Sequence, residues 1–388
     1  MDNIEEHLRQ SLRDLSPGKG GFEQTMNRVE SRRRQLSRRR GAAAMVLLTA
    51  AVSVSVVGLT GPTSPALATS VPLPGKIVDV ASTADRIWAL TCTRRCAGPQ
   101  STGRLVVVDA RSGRVAAVRE ADGPQSLAAG YGSVWVANFA DSKIERVDAA
   151  DPDEESVAIP LELPQPVAAS DRRFLPIDVT VGAGAVWVSS ARGYVARIDP
   201  ASNRVAALVK TTADATGPIV ASDDAVWIGE GLRLGRLDPS TNSVSRIVID
   251  GPGDRRLNVG ALVLSHESLW VGGDWARPSR DAVGNTDYTI TGEAALAEVD
   301  AQTGEIRSTS PLIPGTTLQG GDSSKLWLTN TRKRMVYEFN PVTRKIAATA
   351  RVRAVGPVIA AQGNRVWLAS TTRELRSVRL VSRAGASR

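Results

Sequence analysis

Seven times along the chain an apolar–tryptophan–apolar triplet follows a short polar turn, and the flanking residues alternate between apolar and polar. The triplets centre on Trp88, Trp135, Trp187, Trp227, Trp270, Trp327 and Trp367, at intervals of 47, 52, 40, 43, 57 and 40 residues. Alternation of period two predicts half-buried strands, and the turn residues between them predict hairpins. The second unit sets the pattern, with strands expected at Ser126–Gly130, Ser133–Asn138, Lys143–Asp148 and Ser156–Leu161. The third strand of successive units ends in Asp109, Asp148, Asp199, Asp238, Asp300 or Asn340, each followed by small or turn-forming residues. Asp and Asn at such places bond their own backbone, so these side chains are read as turn formers.

A β-rich repeat of this period predicts propeller blades, with each tryptophan packed between neighbouring blades. The last unit offers three strands, Pro357–Ala361, Arg365–Ala369 and Glu374–Leu380, before the chain ends. The segment Ala68–Leu73 (ATSVPL), just ahead of the first strand Ile77–Ala81, supplies the missing fourth. The expected fold is all-β: a seven-bladed β-propeller of four-stranded blades over residues 68–380, closed by an N-terminal strand, with a tail at 381–388.

The N-terminal part reads differently. Residues 41–61 carry no charge, and none follows until Lys76. Twenty-one residues span roughly 31 Å as a helix, enough to cross a bilayer core. Six arginines between Arg32 and Arg40 precede the segment, which puts the N-terminus in the cytoplasm. We therefore expect a single transmembrane signal-anchor helix at 41–61 and a linker at 62–67, with the cell membrane as a partner. Cleavage after the small-x-small run Ala66-Leu67-Ala68 is the alternative, and either way the propeller is exported. In the basic leader, residues 1–40, Ile4, Leu8, Leu12 and Leu15 form a helical stripe that stops at Pro17-Gly18, and Phe22, Met26 and Val29 repeat the spacing. These short amphipathic helices either dock a cytoplasmic partner through residues 1–30 or lie on the inner leaflet.

The net charge of +8 is shared, with +4 in residues 1–40 and +4 in all the rest. The densest basic run abuts the apolar segment, so no nucleic-acid partner is expected. Seven lysines among 48 basic residues point to a GC-rich, actinobacterial type of genome. Cys92 and Cys96 are the only cysteines, spaced CxxxC. A structural disulfide is expected on the exported side; a metal site or a redox dithiol are the alternatives, each short of partners or of the usual spacing.

Four connections are longer than the repeat needs: Thr91–Gly103, Glu162–Pro176, Asp250–Asn258 and Gly272–Glu293. In a four-stranded antiparallel blade these all emerge at one end. They carry Arg94, Arg95, Arg172, Arg173, Arg255, Arg256, Arg277 and Arg280, with Trp275 and Tyr288 beside the last two. Paired guanidinium groups suit carboxylate or phosphate. These residues are the candidate ligand-binding set, for an anionic envelope ligand or a partner protein, and solvated arginines paired to nearby carboxylates are the alternative.

The run Gly123–Gly130, then Gly132–Asn138, then Ile144–Asp148 resembles the YVTN-type propeller repeat and the repeats of virginiamycin B lyase-like propellers. The resemblance covers about residues 68–380 and implies the propeller fold. By that resemblance, lyase chemistry would use His and Glu groups with a divalent metal at the distal channel mouth. This propeller holds one histidine, His266, in a turn, and no GxSxG, HExxH or Gly-rich phosphate loop. We expect a binding or sensing module with no catalytic residues, metal or cofactor; a propeller lyase or hydrolase is the alternative.

Overall fold

The computed structural model describes residues 70–94, 100–164, 172–211, 213–280, 286–322, 324–352, 359–362, 365–369, 374–379 and 381–382. The chain divides into two units, 1–66 and 67–388, and the described residues all belong to the second. The expected leader helices and transmembrane helix fall outside them. Among the described residues every named element is a strand, and none is a helix able to cross a membrane.

After β1 (Ser70–Pro72), blade one is β2 (Lys76–Ser82), β3 (Arg86–Arg94), β4 (Thr102–Asp109) and β5 (Val115–Asp122). Blade two is β6 (Pro124–Gly130), β7 (Ser133–Asn138), β8 (Lys143–Asp148) and β9 (Val157–Pro160). Blade three is β10 (Pro176–Gly182), β11 (Ala185–Ser190), β12 (Tyr194–Asp199) and β13 (Arg204–Lys210). Blade four is β14 (Ile219–Ala221), β15 (Val226–Gly229), β16 (Leu234–Leu237) and β17 (Val244–Ile247). Blade five has β18 (Asp250–Gly251), β19 (Arg255–Ser265), β20 (Ser268–Arg280), β21 (Thr286–Asp300) and β22 (Ile306–Pro311). Blade six is β23 (Thr316–Gly321), β24 (Leu326–Asn330), β25 (Met335–Asn340) and β26 (Lys345–Arg351). Then come β27 (Ile359–Gln362), β28 (Arg365–Ala369), β29 (Glu374–Arg379) and β30 (Val381–Ser382).

Six blades are each built on one continuous run of chain. The remaining sheet, in the order β1-β29-β28-β27, is a composite of both ends, with Val71 opposite Leu375. The expectation of seven four-stranded blades is corrected accordingly. Six blades repeat, blades five and six each carry a fifth strand, and no helix is present among the described residues. The extra strand of blade five forms because Pro252-Gly253-Asp254 turns the chain tightly, with Gly253 and Asp254 at φ of 67° and 56°, so Asp250 pairs with Arg256. The extra strand of blade six comes from the expected tail: β30 pairs with β26, Ser382 opposite Ala348, and covers an open edge.

The second strand of each repeat carries the tryptophan. Trp88, Trp135, Trp187, Trp227 and Trp367 are fully buried, and Trp270 and Trp327 nearly so. Each lies opposite a small or β-branched residue of the first strand, for example Ala81, Ala128, Thr180 and Val220. The indoles therefore pack across blade boundaries. Trp135 shares a core with Val179 and Val186 of blade three, and Trp367 with Ile77 and Val80 of blade one. First strands of successive blades lie side by side from β2 to β23, and β27 touches both β23 and β2. They form the inner ring of the propeller.

The acidic residues that end the third strands build the turns. Asp199 accepts from Ala201 N at 2.9 Å, Asp238 from Ser240 N at 2.7 Å, and Asp300 from Thr303 N at 2.6 Å. Asn340 does the same with Thr343 N at 2.8 Å. Hydrogen bonds to the charged form hold Asp109, Asp148, Asp199 and Asp238 below the ordinary carboxylate range, and Asp300 at about 2.

Candidate functional site

The expected loop Gly272–Glu293 is instead mostly strand. β20 and β21 run past their neighbours as a two-stranded ribbon in which Arg277 faces Thr289 and Arg280 faces Thr286. The segment Thr286–Thr291 (TDYTIT) is rich in residues that favour extended chain, which is why the insertion pairs. Where the ribbon leaves the blade the ladder is interrupted, between Asp274 opposite Ala294 and Ala276 opposite Ile290. Gly292 sits in this bulge at φ 74°, a conformation that glycine adopts without strain. The bulge turns Glu293 toward the arginines.

Glu293 takes two of them. Its Oε2 accepts from Arg255 Nη1, and its Oε1 accepts from Arg277 Nη2 at 3.1 Å. Arg256 lies over the Tyr288 ring, 5.1 Å from its centroid, and its Nε is 3.6 Å from Asp250 Oδ1. Trp275 is buried beneath, held by a bond from Thr291 Oγ1 to its carbonyl at 2.8 Å and by close contact with Gly251. A methyl at Gly251 would stand 2.6 Å from the indole, so glycine is required there. Blade five thus gathers Arg255, Arg256, Trp275, Arg277 and Tyr288 at one place, with Arg280 exposed farther along the ribbon.

The other expected residues lie elsewhere. Arg172 pairs with Glu162 at 2.9 Å, and Arg173 donates to the carbonyls of Ala140 and Phe139 in the β7–β8 turn. Arg173 is thereby committed to holding blade two against the connection that follows it. Arg94 is exposed at the end of β3. Cys92 is buried and disulfide-bonded, and the chain has one other cysteine, Cys96. Arg95 and Cys96 lie outside the described residues. His266 occupies the β19–β20 turn at φ 53°, at the other end of blade five from the ribbon.

A second polar cluster lies on the inner ring and is absent from the expected set. Ser126 Oγ is 2.9 Å from Asp79 Oδ2 and 2.6 Å from Asp178 Oδ1. Asp79 also accepts from Val80 N and Leu127 N, and Asp178 from Val179 N and Ile219 N, all at 2.9–3.0 Å. Each acid follows a β-bulge in its strand, so it can reach its own backbone and that of the next blade. Desolvation, and then the charge of Asp178, push Asp79 up to about 7; desolvation also raises Asp178. The sequence signal was available: all three residues stand nine positions before the repeat tryptophan, where later repeats have Pro218, Ala261 and Leu318.

No protein-family model matches the chain, and no curated protein does. Solved structures are similar. A streptogramin B lyase superposes with a TM-score of 0.59 at 14% identity, covering 81% of this chain and 98% of that one. The WD40 domain of Toxoplasma gondii coronin gives 0.56 at 12% identity, covering 82% and 87%. A chain of a mitotic checkpoint complex gives 0.59 at 11% identity, covering 86% and 99%. At these identities the likeness is one of fold: the chain carries a β-propeller domain.

Proposed function

We propose that this propeller is a binding module, and that blade five grips carboxylate or phosphate groups of an acidic polymer with Arg255 and Arg277. The observation that carries this reading is the convergence of both guanidinium groups on the single carboxylate of Glu293. Glu293 stands where a ligand's anion would stand. Its side chain is 48% exposed and that of Arg277 58% exposed. Ion pairs this open contribute about 0–1 kcal/mol, so a multivalent anion can exchange for the internal carboxylate at little cost. Arg256 on Tyr288 adds a flat cationic surface next to the grip.

The repeat pattern around Trp135 supports a YVTN-type or virginiamycin B lyase-like origin for the blades. The disulfide at Cys92 supports an oxidising, exported location. The lyase reading lacks comparable support, because His266 stands at the opposite end of blade five from the ribbon. Binding of the full-length chain to polyglutamate and to inorganic polyphosphate, at low and at high salt, tests the proposal. The expected result is salt-sensitive binding that the paired reversal R255E/R277E weakens at least about tenfold. Equal affinity after reversal would discard it.

A further inference from the structure

We propose that Asp79, Ser126 and Asp178 form a proton-holding clamp that ties the inner strands of blades one to four together and loosens when its shared proton is lost. The argument is a count of hydrogens. Four backbone N–H groups (Val80, Leu127, Val179 and Ile219) and the Ser126 hydroxyl supply five hydrogens to the two carboxyl groups. The geometry contains six contacts, because Ser126 Oγ lies within bonding distance of both acids. One hydroxyl hydrogen cannot serve both. With both acids ionised, one of the Ser126 contacts sets an oxygen against an oxygen. A sixth hydrogen, carried on a carboxyl group, completes the set.

The hydrogen bonds that Asp79 accepts favour its ionised form, but burial outweighs them. Strands β6, β7, β11, β14, β15 and β27 hold no ionisable side chain, and β10 holds only Asp178. On β2 the other ionisable residue is Lys76, at the strand's start, and β28 begins with Arg365. On β3 the ionisable residues are Arg86 and Arg94, besides the disulfide-bonded Cys92. Arg86 is turned to the carbonyl of Ala149 at 3.0 Å, and Arg94 is exposed at the far end. Burial first, and then the charge of Asp178, bring Asp79 to about 7. The repeat itself does not demand the trio, since Ala261 serves at the same position in blade five, opposite Gly272.

The sign of the effect follows. Asp79 holds its proton in the folded state up to about pH 7, whereas an unfolded aspartate releases it near 3.8. The clamp's stability is therefore fully present below the unfolded value and declines as the pH rises through the folded one. The test uses the full-length chain. Infrared difference spectra between about pH 5.5 and about pH 8.5 should show a protonated-carboxyl carbonyl band that disappears near 7. The apparent Tm should fall between about pH 4 and about pH 7 and level off above it. In Asp79→Asn the band and that fall should both be lost, and in Asp178→Asn the midpoint should move to lower pH. Absence of the band in the wild-type chain would overturn the proposal even if both variants failed to fold. So would an unchanged fall of Tm in a folded Asp79→Asn.

Discussion

Arg146 lies over the indole of Trp135, its guanidinium carbon 5.2 Å from the ring centroid. Its Nη1 also reaches into the next blade, donating to Pro200 O and Asn203 Oδ1, each at 2.8 Å. Arg197 repeats the device over Trp187 and donates to Pro239 O at 2.7 Å. An arginine on the third strand thus covers its own blade's tryptophan and holds the following blade's turn. Arg146→Ala is expected to cost about 2–3 kcal/mol, from charged hydrogen bonds and the ring contact together. Arg146→Lys should recover little, because the planar fork makes the contacts. Urea unfolding of the two variants checks this.

In blade five the polarity of that link is reversed. Glu298, opposite Trp270, is buried and receives Arg344 of blade six at 2.8 Å, with Ser268 at 2.9 Å. Arg307 donates to the same Ser268 hydroxyl at 2.9 Å. Glu298→Ala would strand these donors and is expected to destabilise the fold by about 2–4 kcal/mol. Arg344→Ala should cost under about 1 kcal/mol, since its side chain is 56% exposed and Glu298 keeps its other partners. A double-mutant cycle measures the difference.

The turn acids make the opposite pH contribution to the inner clamp. Backbone hydrogen bonds from Thr303 and Gln302 and the Arg307 contact hold Asp300 at about 2. The stability it adds is present above the unfolded value of 3.8 and is lost as the pH falls toward 2. Asn340 fills the equivalent place in blade six with the same backbone bonds. Asp300→Asn should therefore fold normally and lose less stability between about pH 4 and about pH 2 than the parent chain, as followed by thermal melts.

The parts readable in the sequence are those set by local chemistry. Trp135 and its period-two neighbours, or Asp199 before Pro200-Ala201-Ser202, specify strand and turn within a few residues. The blade-five insertion reads as a loop in the sequence because its length is visible but its pairing is not: Arg277 finds Thr289 only through the register that the Gly292 bulge sets. The arginines were visible one by one, yet Glu293 lies 38 residues from Arg255, and only folding brings them together. The Asp79–Ser126–Asp178 group shows its shared spacing before the repeat tryptophans in the sequence, but not its contact. Its members lie 47 and 52 residues apart, and bulges in three separate blades aim them at one another.

The most direct test of the two-arginine grip is the affinity of Glu293→Gln for polyglutamate. Removing the internal charge should free Arg255 and Arg277 while leaving the ribbon's backbone intact, so binding should tighten by about fivefold to tenfold, a gain of about 1 kcal/mol. The gain should vanish when R255E/R277E is added. Weaker or unchanged binding by Glu293→Gln, with the fold preserved, would contradict the account.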